Sequence, residues 1–227
     1  ELKTIAGFGA LETVDGDFAI FNNAKLETIP EFTKLETVGG FFGISGNAKL
    51  ETIPEFTKLE TVGGGFFINN NATLTSIPIT GFGALGTVGG FFSIEDNAIL
   101  ASIIGFGELG TVGGSFQINS NAILASIDGF TKLETLDGSF QIINNAKLAS
   151  IDGFGVLETV DGFFQIRGNG RDLTEDANNV VTTITGFNKF RTDPKGITGN
   201  LTVTGISNDQ LLEFADVAIK NNMAEAT

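Results

Sequence analysis

The sequence predicts an all-β fold, a parallel β-solenoid with coils of about 24 residues that is closed by a C-terminal capping helix. One supporting observation is a repeat that recurs along most of the 227 residues, and another is an asparagine at the same place in seven copies. A third is composition, since 31 glycines and the scarcity of helix-forming stretches disfavour a helical repeat. A hydrophobic content of 41% is sufficient for a packed core.

The repeat can be aligned on the hydrophobic residue that precedes a Gly-Gly or Asp-Gly pair. Neighbouring copies lie 24 residues apart, except for one interval of 26 that has two extra residues near Ile79 and Thr80. We expect an eighth copy over 181–203, separated from the seventh by a polar loop insertion at 170–180. Residues 1–206 are thus predicted to form a solenoid of about eight coils. The seven aligned positions are Val14, Val38, Val62, Val88, Val112, Leu136 and Val160.

Each copy contains one short strand and one longer segment that turns the chain. Phe42 and Ile44 alternate with smaller residues, which is the pattern of a strand with one buried face. Leu50, Ile53 and Phe56 are three residues apart, so the chain is expected to wrap round a corner and direct every third side chain inward. Coils stacked about 4.8 Å apart would then share one continuous apolar core.

An asparagine stands nine residues after each aligned position. Burying an amide is costly unless it is hydrogen-bonded, and a column of stacked amides supplies the partners. We therefore predict a buried structural ladder that holds the coils in register. Its members are Asn23, Asn47, Asn71, Asn97, Asn121, Asn145 and Asn169.

The two ends of the solenoid differ in sequence. Ser207 and Gln210 have the spacing of a helix capping box, and apolar residues with helical periodicity follow them. Residues 207–222 are predicted to be a helix that covers the last coil, within a cap and tail at 207–227. Leu2, Ile5 and Phe8 begin directly in the repeat pattern, so an open edge is expected at the N-terminal end.

Composition excludes several functions. The chain has no His and no Cys, which removes triad catalysis, thiol nucleophiles, disulfides and imidazole or thiolate metal ligands. A net charge of −14 disfavours nucleic acids and anionic membranes, and no stretch has the roughly 20 consecutive apolar residues of a membrane span. We predict no catalytic residues, no cofactor and no bound metal. Because residue 1 is Glu, we expect either removal of a leader or a fragment of a longer chain.

The outward positions of the predicted strands form the most informative surface. They lie three, five and seven residues after each aligned position, and only three of the 21 are charged while five are Phe. A weakly charged strip with apolar side chains on an acidic protein suggests an interface. The alternative is that these rings turn into the core or cover neighbouring glycines. The candidate interface residues are Phe21, Phe41, Phe67, Phe91, Ile143 and Phe163.

One column of Glu, two columns of Thr and two sequons leave alternatives open. Glu12, Glu36, Glu60, Glu134 and Glu158 could attract a divalent cation or a basic partner, or they could form a solvated edge beside lysines. Columns of Thr that begin at Thr13 and Thr4 could bind ice if both lay on one flat face. Asn71 and Asn200 each begin an Asn-X-Thr sequon, a triplet that arises often by chance.

The strand half of the unit, Phe116-Gln-Ile118-Asn-Ser-Asn121-Ala-Ile-Leu124-Ala-Ser-Ile127, resembles the leucine-rich repeat signature. Leu124 follows the Asn by three positions, where ordinary repeats have two, and with the preceding Gly-Gly this variant looks like receptor L-domain-like repeats of surface proteins. The resemblance covers 2–169 and returns at 181–203. It implies a non-enzymatic, extracellular or cell-surface protein that binds proteins or sugars. The matching positions are core positions, so it assigns no ligand-contacting residue.

Three functional hypotheses follow from the sequence. The leading one is adhesion or recognition of a protein or glycan through the uncharged strip. The alternative is a self-assembling structural subunit of an extracellular filament or surface layer, which the open N-terminal edge and the identical segments 24–38 and 48–62 favour. Ice binding is the third. None of them involves nucleic acid or membrane insertion, and the second makes the chain a homo-oligomer or filament.

Overall fold

The computed structural model describes residues 2–78, 80–170, 183–184 and 201–203, and their architecture is a parallel β-solenoid. The chain makes six full turns between Val14 and Val160, and no helix occurs in the described residues. The prediction of an all-β parallel solenoid is thereby confirmed, whereas the leucine-rich-repeat-like type of its coils stays a prediction. The predicted capping helix at 207–222, the sequon at Asn200 and all of the 170–180 insertion except Gly170 lie outside the described residues.

The largest sheet has eight parallel strands, one from each repeat. In seven of these strands four residues pair in register, as when Phe116 lies opposite Phe92 and Phe140. Inward residues are apolar and buried, whereas outward residues are partly exposed in most coils, which is the period of two that the sequence predicts. The strands are β2 Phe18–Phe21, β4 Phe42–Ser45, β6 Phe66–Asn69, β8 Phe92–Glu95, β11 Phe116–Asn119, β14 Phe140–Ile143, β17 Phe164–Arg167 and β19 Leu201–Val203.

Two narrower parallel sheets complete the walls of the solenoid. Seven two-residue strands precede the main-sheet strands: β1 Thr13–Val14, β3 Thr37–Val38, β5 Thr61–Val62, β7 Thr87–Val88, β10 Thr111–Val112, β13 Thr135–Leu136 and β16 Thr159–Val160. A four-stranded sheet follows the asparagine turn: β9 Ser102–Ile103, β12 Ser126–Asp128, β15 Ser150–Asp152 and β18 Thr183–Ile184. Isolated parallel bridges, such as Thr4 to Thr28, continue this third sheet towards the N-terminal end.

The repeat at 181–203 contributes strands to two of these sheets. Thr183 and Ile184 pair with Ser150 and Ile151 in β15, and Leu201–Val203 pairs with β17. These partners are the residues that the repeat alignment places opposite one another, so the backbone register continues beyond the insertion.

Two columns of phenylalanine fill the core. Phe42 stacks on Phe66 with ring centroids 5.0 Å apart and nearly parallel planes, because each coil places the same ring above the next. Phe56 belongs to the second column and meets Phe42 edge to face at 5.0 Å and 89°. Both arrangements suit the ring quadrupole, and the interior rings are fully buried. The core is therefore continuous along the solenoid axis.

The asparagines form a hydrogen-bonded ladder beside this core. Asn97 donates its side-chain N–H to the Ile68 carbonyl at 2.8 Å and to Asn121 Oδ1 at 3.3 Å. Its own Oδ1 accepts the backbone N–H of Asn71 at 3.1 Å. The same pattern recurs from coil to coil, and every member except Asn23 is fully buried. An amide thus joins each turn to both neighbouring coils, which explains why the position is Asn in all seven copies.

Close stacking also determines where glycine is needed. A Cβ on Gly63 would lie 2.3 Å from the carbonyl oxygen of Gly39 in the preceding coil, well inside van der Waals contact. Gly39 has the same relation to Asp15, which lies in the first coil. The glycine pairs therefore mark the corner where successive backbones approach most closely.

Candidate functional surface

The outward side chains of the main sheet form one surface, which we call the outer strip. It contains three columns that run along the solenoid axis, with one residue of each column in each of seven coils. Along a column, neighbouring residues are one coil apart, about 4.8 Å. The columns begin at Asp17, Ala19 and Phe21 and end at Phe163, Gln165 and Arg167.

Four phenylalanines in the first four coils form one connected group, the aromatic cluster: Phe21, Phe41, Phe67 and Phe91. Phe67 lies at its centre, with ring centroids 5.5 Å from Phe21, 5.6 Å from Phe41 and 5.9 Å from Phe91. Phe21 and Phe91 remain 37% and 44% exposed, whereas Phe41 and Phe67 are half-buried. The cluster is a continuous apolar surface that water reaches.

Two glycines form the floor of the cluster. A Cβ on Gly43 would meet the rings of Phe67 and Phe21 at 2.5 and 2.7 Å, and a Cβ on Gly65 would meet Phe91 at 2.5 Å. The rings therefore lie flat over backbone that has no side chain of its own. The sequence left two interpretations of these rings open, an interface and a cover for neighbouring glycines. The arrangement has features of both, because the rings cover glycines and still expose their outer surfaces to solvent.

The two remaining candidate interface residues lie outside the cluster. Phe163 is 40% exposed, but Ser115 and Ser139 separate it from Phe91 in the same column. Ile143 occupies an outward position in β14, yet only 7% of it is exposed, so it offers little surface to a partner. The structure thus brings together four of the six residues.

The second half of the outer strip is rich in amides and hydroxyls. Gln117, Gln141 and Gln165 lie in register on three successive strands. Asn119 donates to Glu95 Oε1 at 3.0 Å. Its own Oδ1 is buried next to the apolar Ile143 and has no hydrogen-bond partner in the part of the chain that the structure describes. The outer strip therefore changes along its length from aromatic to polar.

Two carboxylates lie at opposite corners of the four-coil area that contains the aromatic cluster. Asp17 shares the first coil with Phe21 and accepts the backbone N–H of Phe41 at 2.9 Å. Glu95 shares the fourth coil with Phe91, and its Oε1 accepts the side-chain N–H of Asn119. The only cation among the 21 positions is Arg167, three coils beyond Glu95. The cluster is thus apolar at its centre and anionic at two corners.

The N-terminal end of the solenoid is a second candidate surface. Ile5, Leu11 and Val14 occupy core positions but are only partly buried, and Phe8 is 46% exposed. Together with Phe18 they line an open cleft of about 270 Å³, which we call the end cleft. The outer edges of the first-coil strands have no neighbouring strand within the described residues. Apolar surface and unpaired backbone therefore coincide here.

The column of glutamates that begins at Glu12 is interrupted and partly neutralised. Its fourth and fifth positions are Gly86 and Gly110. Glu36 Oε1 lies 3.6 Å from Lys58 Nζ, and both side chains are about half exposed. The described residues contain no group of three or more acidic side chains that could hold a metal ion. The geometry is that of a solvated edge.

The threonine columns and the first sequon are also placed by the fold. Thr13 lies in the first narrow sheet, whereas Thr28 lies in the bridge that extends the third sheet, so the two columns face in different directions. Asn71 is fully buried, and its side-chain nitrogen donates to Ile44 and Asn97. An oligosaccharide transferase cannot reach this nitrogen in the folded chain.

Among the described residues, no helix has the length and apolarity to cross a membrane.

Comparison with known proteins did not reveal a relative. No protein-family model matches the chain, no curated protein matches it, and no solved structure matches it.

The sequence predicts the outer strip but not its internal organisation. Spacing places four phenylalanines on one face and does not show that their rings touch: Phe21, Phe41, Phe67 and Phe91. The available signal was the position of Gly43 and Gly65, each next to a Phe in the neighbouring coil, because a residue without a side chain leaves room for a ring. The corner positions of Asp17 and Glu95 follow from the same column arrangement.

Proposed function

We propose that this chain is a non-enzymatic extracellular or cell-surface solenoid that recognises a protein or glycan through its outer strip. The observation that carries the proposal is the aromatic cluster, four touching rings on one sheet with two of them more than one third exposed. The resemblance to receptor L-domain-like repeats supports the location and the absence of catalysis. We assign the coils to that repeat type as part of the same proposal.

Exposed aromatic rings on a rigid surface are well suited to recognition. Burying a fully exposed Phe is worth about 1.5–3 kcal/mol, so covering the exposed 37% of Phe21 or 44% of Phe91 is worth about 1 kcal/mol for each ring. The rings of the cluster are already held by one another and by the glycine floor, so little conformational entropy is lost when a partner covers them. A monomer that only needed to fold would gain nothing by leaving Phe21 and Phe91 in solvent.

The test uses a triple variant in which three residues of the aromatic cluster are replaced: Phe41→Ser, Phe67→Ser and Phe91→Ser. The matched control is Phe163→Ser, which removes an exposed ring from the same strip outside the cluster. Binding of each purified protein to arrays of glycans and of extracellular proteins is measured together with thermal unfolding. We expect the triple variant to lose binding and keep its unfolding transition, and the control to retain both. Unfolding of the triple variant would instead mean that the rings serve packing.

Self-assembly is a second candidate function, and the end cleft favours it. Its apolar lining and unpaired strand edges are the features that a preceding coil covers in the interior coils that the structure describes. We propose that this end joins another copy in a filament or surface layer. Electron microscopy and light scattering of wild type and Phe8→Asp test this: ordered polymers in wild type that are lost in the variant support it, and wild-type monomers at high concentration contradict it.

A further inference from the structure

We propose that the partner of the aromatic cluster is a protein segment with an apolar centre and a cationic side chain at each end. This inference rests on the proposed recognition function and names the partner for the same surface. The observations that select this partner are the rings of the cluster and the two carboxylates at its opposite corners.

The spacing of the two carboxylates defines the partner. Asp17 and Glu95 are separated by three coils, about 14 Å at 4.8 Å per coil, and by four residues across the strand, about 13 Å at 3.3 Å per residue. The diagonal between their positions is about 20 Å. An extended peptide covers this distance with roughly six residues. Apolar side chains between the two cations would then lie over Phe41 and Phe67.

The Asp17 corner offers a cation two favourable contacts, and the Glu95 corner offers one. Asp17 accepts the backbone N–H of Phe41, whose half-buried ring is the next residue in the same column, whereas the exposed rings of Phe21 and Phe91 lie four residues along the strand from Asp17 and Glu95. A guanidinium or ammonium group at either corner can pair with the carboxylate, and at the Asp17 corner it can also lie against the Phe41 ring, where a cation–π contact adds about 0.5–1 kcal/mol. Arg suits such a site better than Lys because its planar head both stacks and forms bidentate bonds.

Charge also disfavours the other candidate occupants. A second copy would bring another net charge of −14 and would bury Asp17 and Glu95 against a strip whose one cation is Arg167. Burial of a carboxylate without a partner is costly. A neutral glycan could stack on the rings but would leave both carboxylates unpaired. The acidic chain as a whole steers a basic segment towards the surface.

The test selects binders from a displayed library of random linear peptides on the wild-type protein. We expect selected sequences to carry two Lys or Arg roughly six residues apart with apolar residues between them. Labelled peptides are then titrated against Asp17→Asn/Glu95→Gln, in which both hydrogen bonds keep an acceptor oxygen. The control variant, Glu27→Gln/Glu51→Gln, changes net charge equally at two exposed carboxylates away from the outer strip.

We expect the corner variant, Asp17→Asn/Glu95→Gln, to lose about tenfold or more in peptide affinity and the control variant to lose less than about twofold. Peptide binding to the wild-type protein should weaken as the salt concentration rises. Equal losses in both variants, or peptides selected without flanking cations, would overturn the inference.

A further experiment separates failure of this inference from failure of the proposed recognition function. A glycan that binds wild type and the corner variant equally, but not the triple Phe→Ser variant, keeps the outer strip as a recognition surface and refutes a basic partner. Peptides that bind the triple variant unchanged contradict both.

Discussion

The first coil and the interior coils have the same repeat but different environments. Phe8 and Phe106 occupy equivalent positions, yet Phe8 is 46% exposed and contacts one ring at 6.0 Å, whereas Phe106 is fully buried. Phe106 stacks between the rings of Phe82 and Phe130 at 5.2 and 5.4 Å. The burial of a residue in this solenoid therefore depends on the coils on either side of it.

The asparagine ladder shows the same difference. Asn97 uses both its oxygen and its nitrogen across coil boundaries. No coil precedes Asn23 in the described residues, and its side-chain nitrogen donates to Asn47 Oδ1 at 3.2 Å and to the Phe21 carbonyl of its own coil at 3.0 Å, not to a carbonyl of a preceding coil. The nearest-neighbour character of repeat proteins accounts for this, because half of the partners of a coil belong to the preceding one. Substitutions at equivalent positions should accordingly have unequal effects, and three pairs test this.

The largest difference is expected between Phe106→Ala and Phe8→Ala. Removal of the buried ring leaves a cavity between four neighbouring rings, with a loss of about 3–5 kcal/mol in the free energy of unfolding. Removal of the exposed ring should cost about 1 kcal/mol or less. Chemical denaturation of both variants measures the two values. Equal losses would mean that the first coil is covered in solution.

The second pair is Asn97→Ala and Asn23→Ala. The interior variant takes the acceptor of the buried Asn71 N–H and one donor of the Ile68 carbonyl, and a buried group left unsatisfied costs about 1–3 kcal/mol. We expect a total loss of about 2–4 kcal/mol there and about 1 kcal/mol at Asn23, whose oxygen faces the open end. Thermal unfolding of both variants provides the measurement. If the Asn97→Ala variant is more stable than the Asn23→Ala variant, the asparagine ladder does not stabilise the interior coils.

The smallest difference concerns Gly64→Ala and Gly16→Ala. A Cβ on Gly64 would lie 2.9 Å from the backbone of Gly40, whereas a Cβ on Gly16 meets no atom within 4 Å. Overpacking predicts a loss of about 1–3 kcal/mol for Gly64→Ala and almost none for Gly16→Ala. Midpoints of urea unfolding compare the two, and an equal effect would show that coil contact does not select glycine at this corner.

Much of this organisation could be predicted because it is periodic. The inward alternation of Phe42 and Ile44 and the recurrence of asparagine require only the spacing of residues in the sequence. The burial of Ile143 and the contact of Phe67 with Phe21 could not be predicted in this way. They depend on which side chain the neighbouring coil supplies and where its ring turns, and spacing contains neither. The capping helix at 207–222 stays a prediction.

Hydrogen exchange of the backbone amides, followed residue by residue at a concentration where the chain is monomeric, tests the central claim most directly. In-register stacking with one open end predicts slow exchange, approaching the global unfolding limit, for the interior amides of Asn71 and Asn97. It predicts markedly faster exchange for Leu11 and other amides of the first coil. Protection that is equally high in the first coil, or absent at the interior asparagines, would contradict the account.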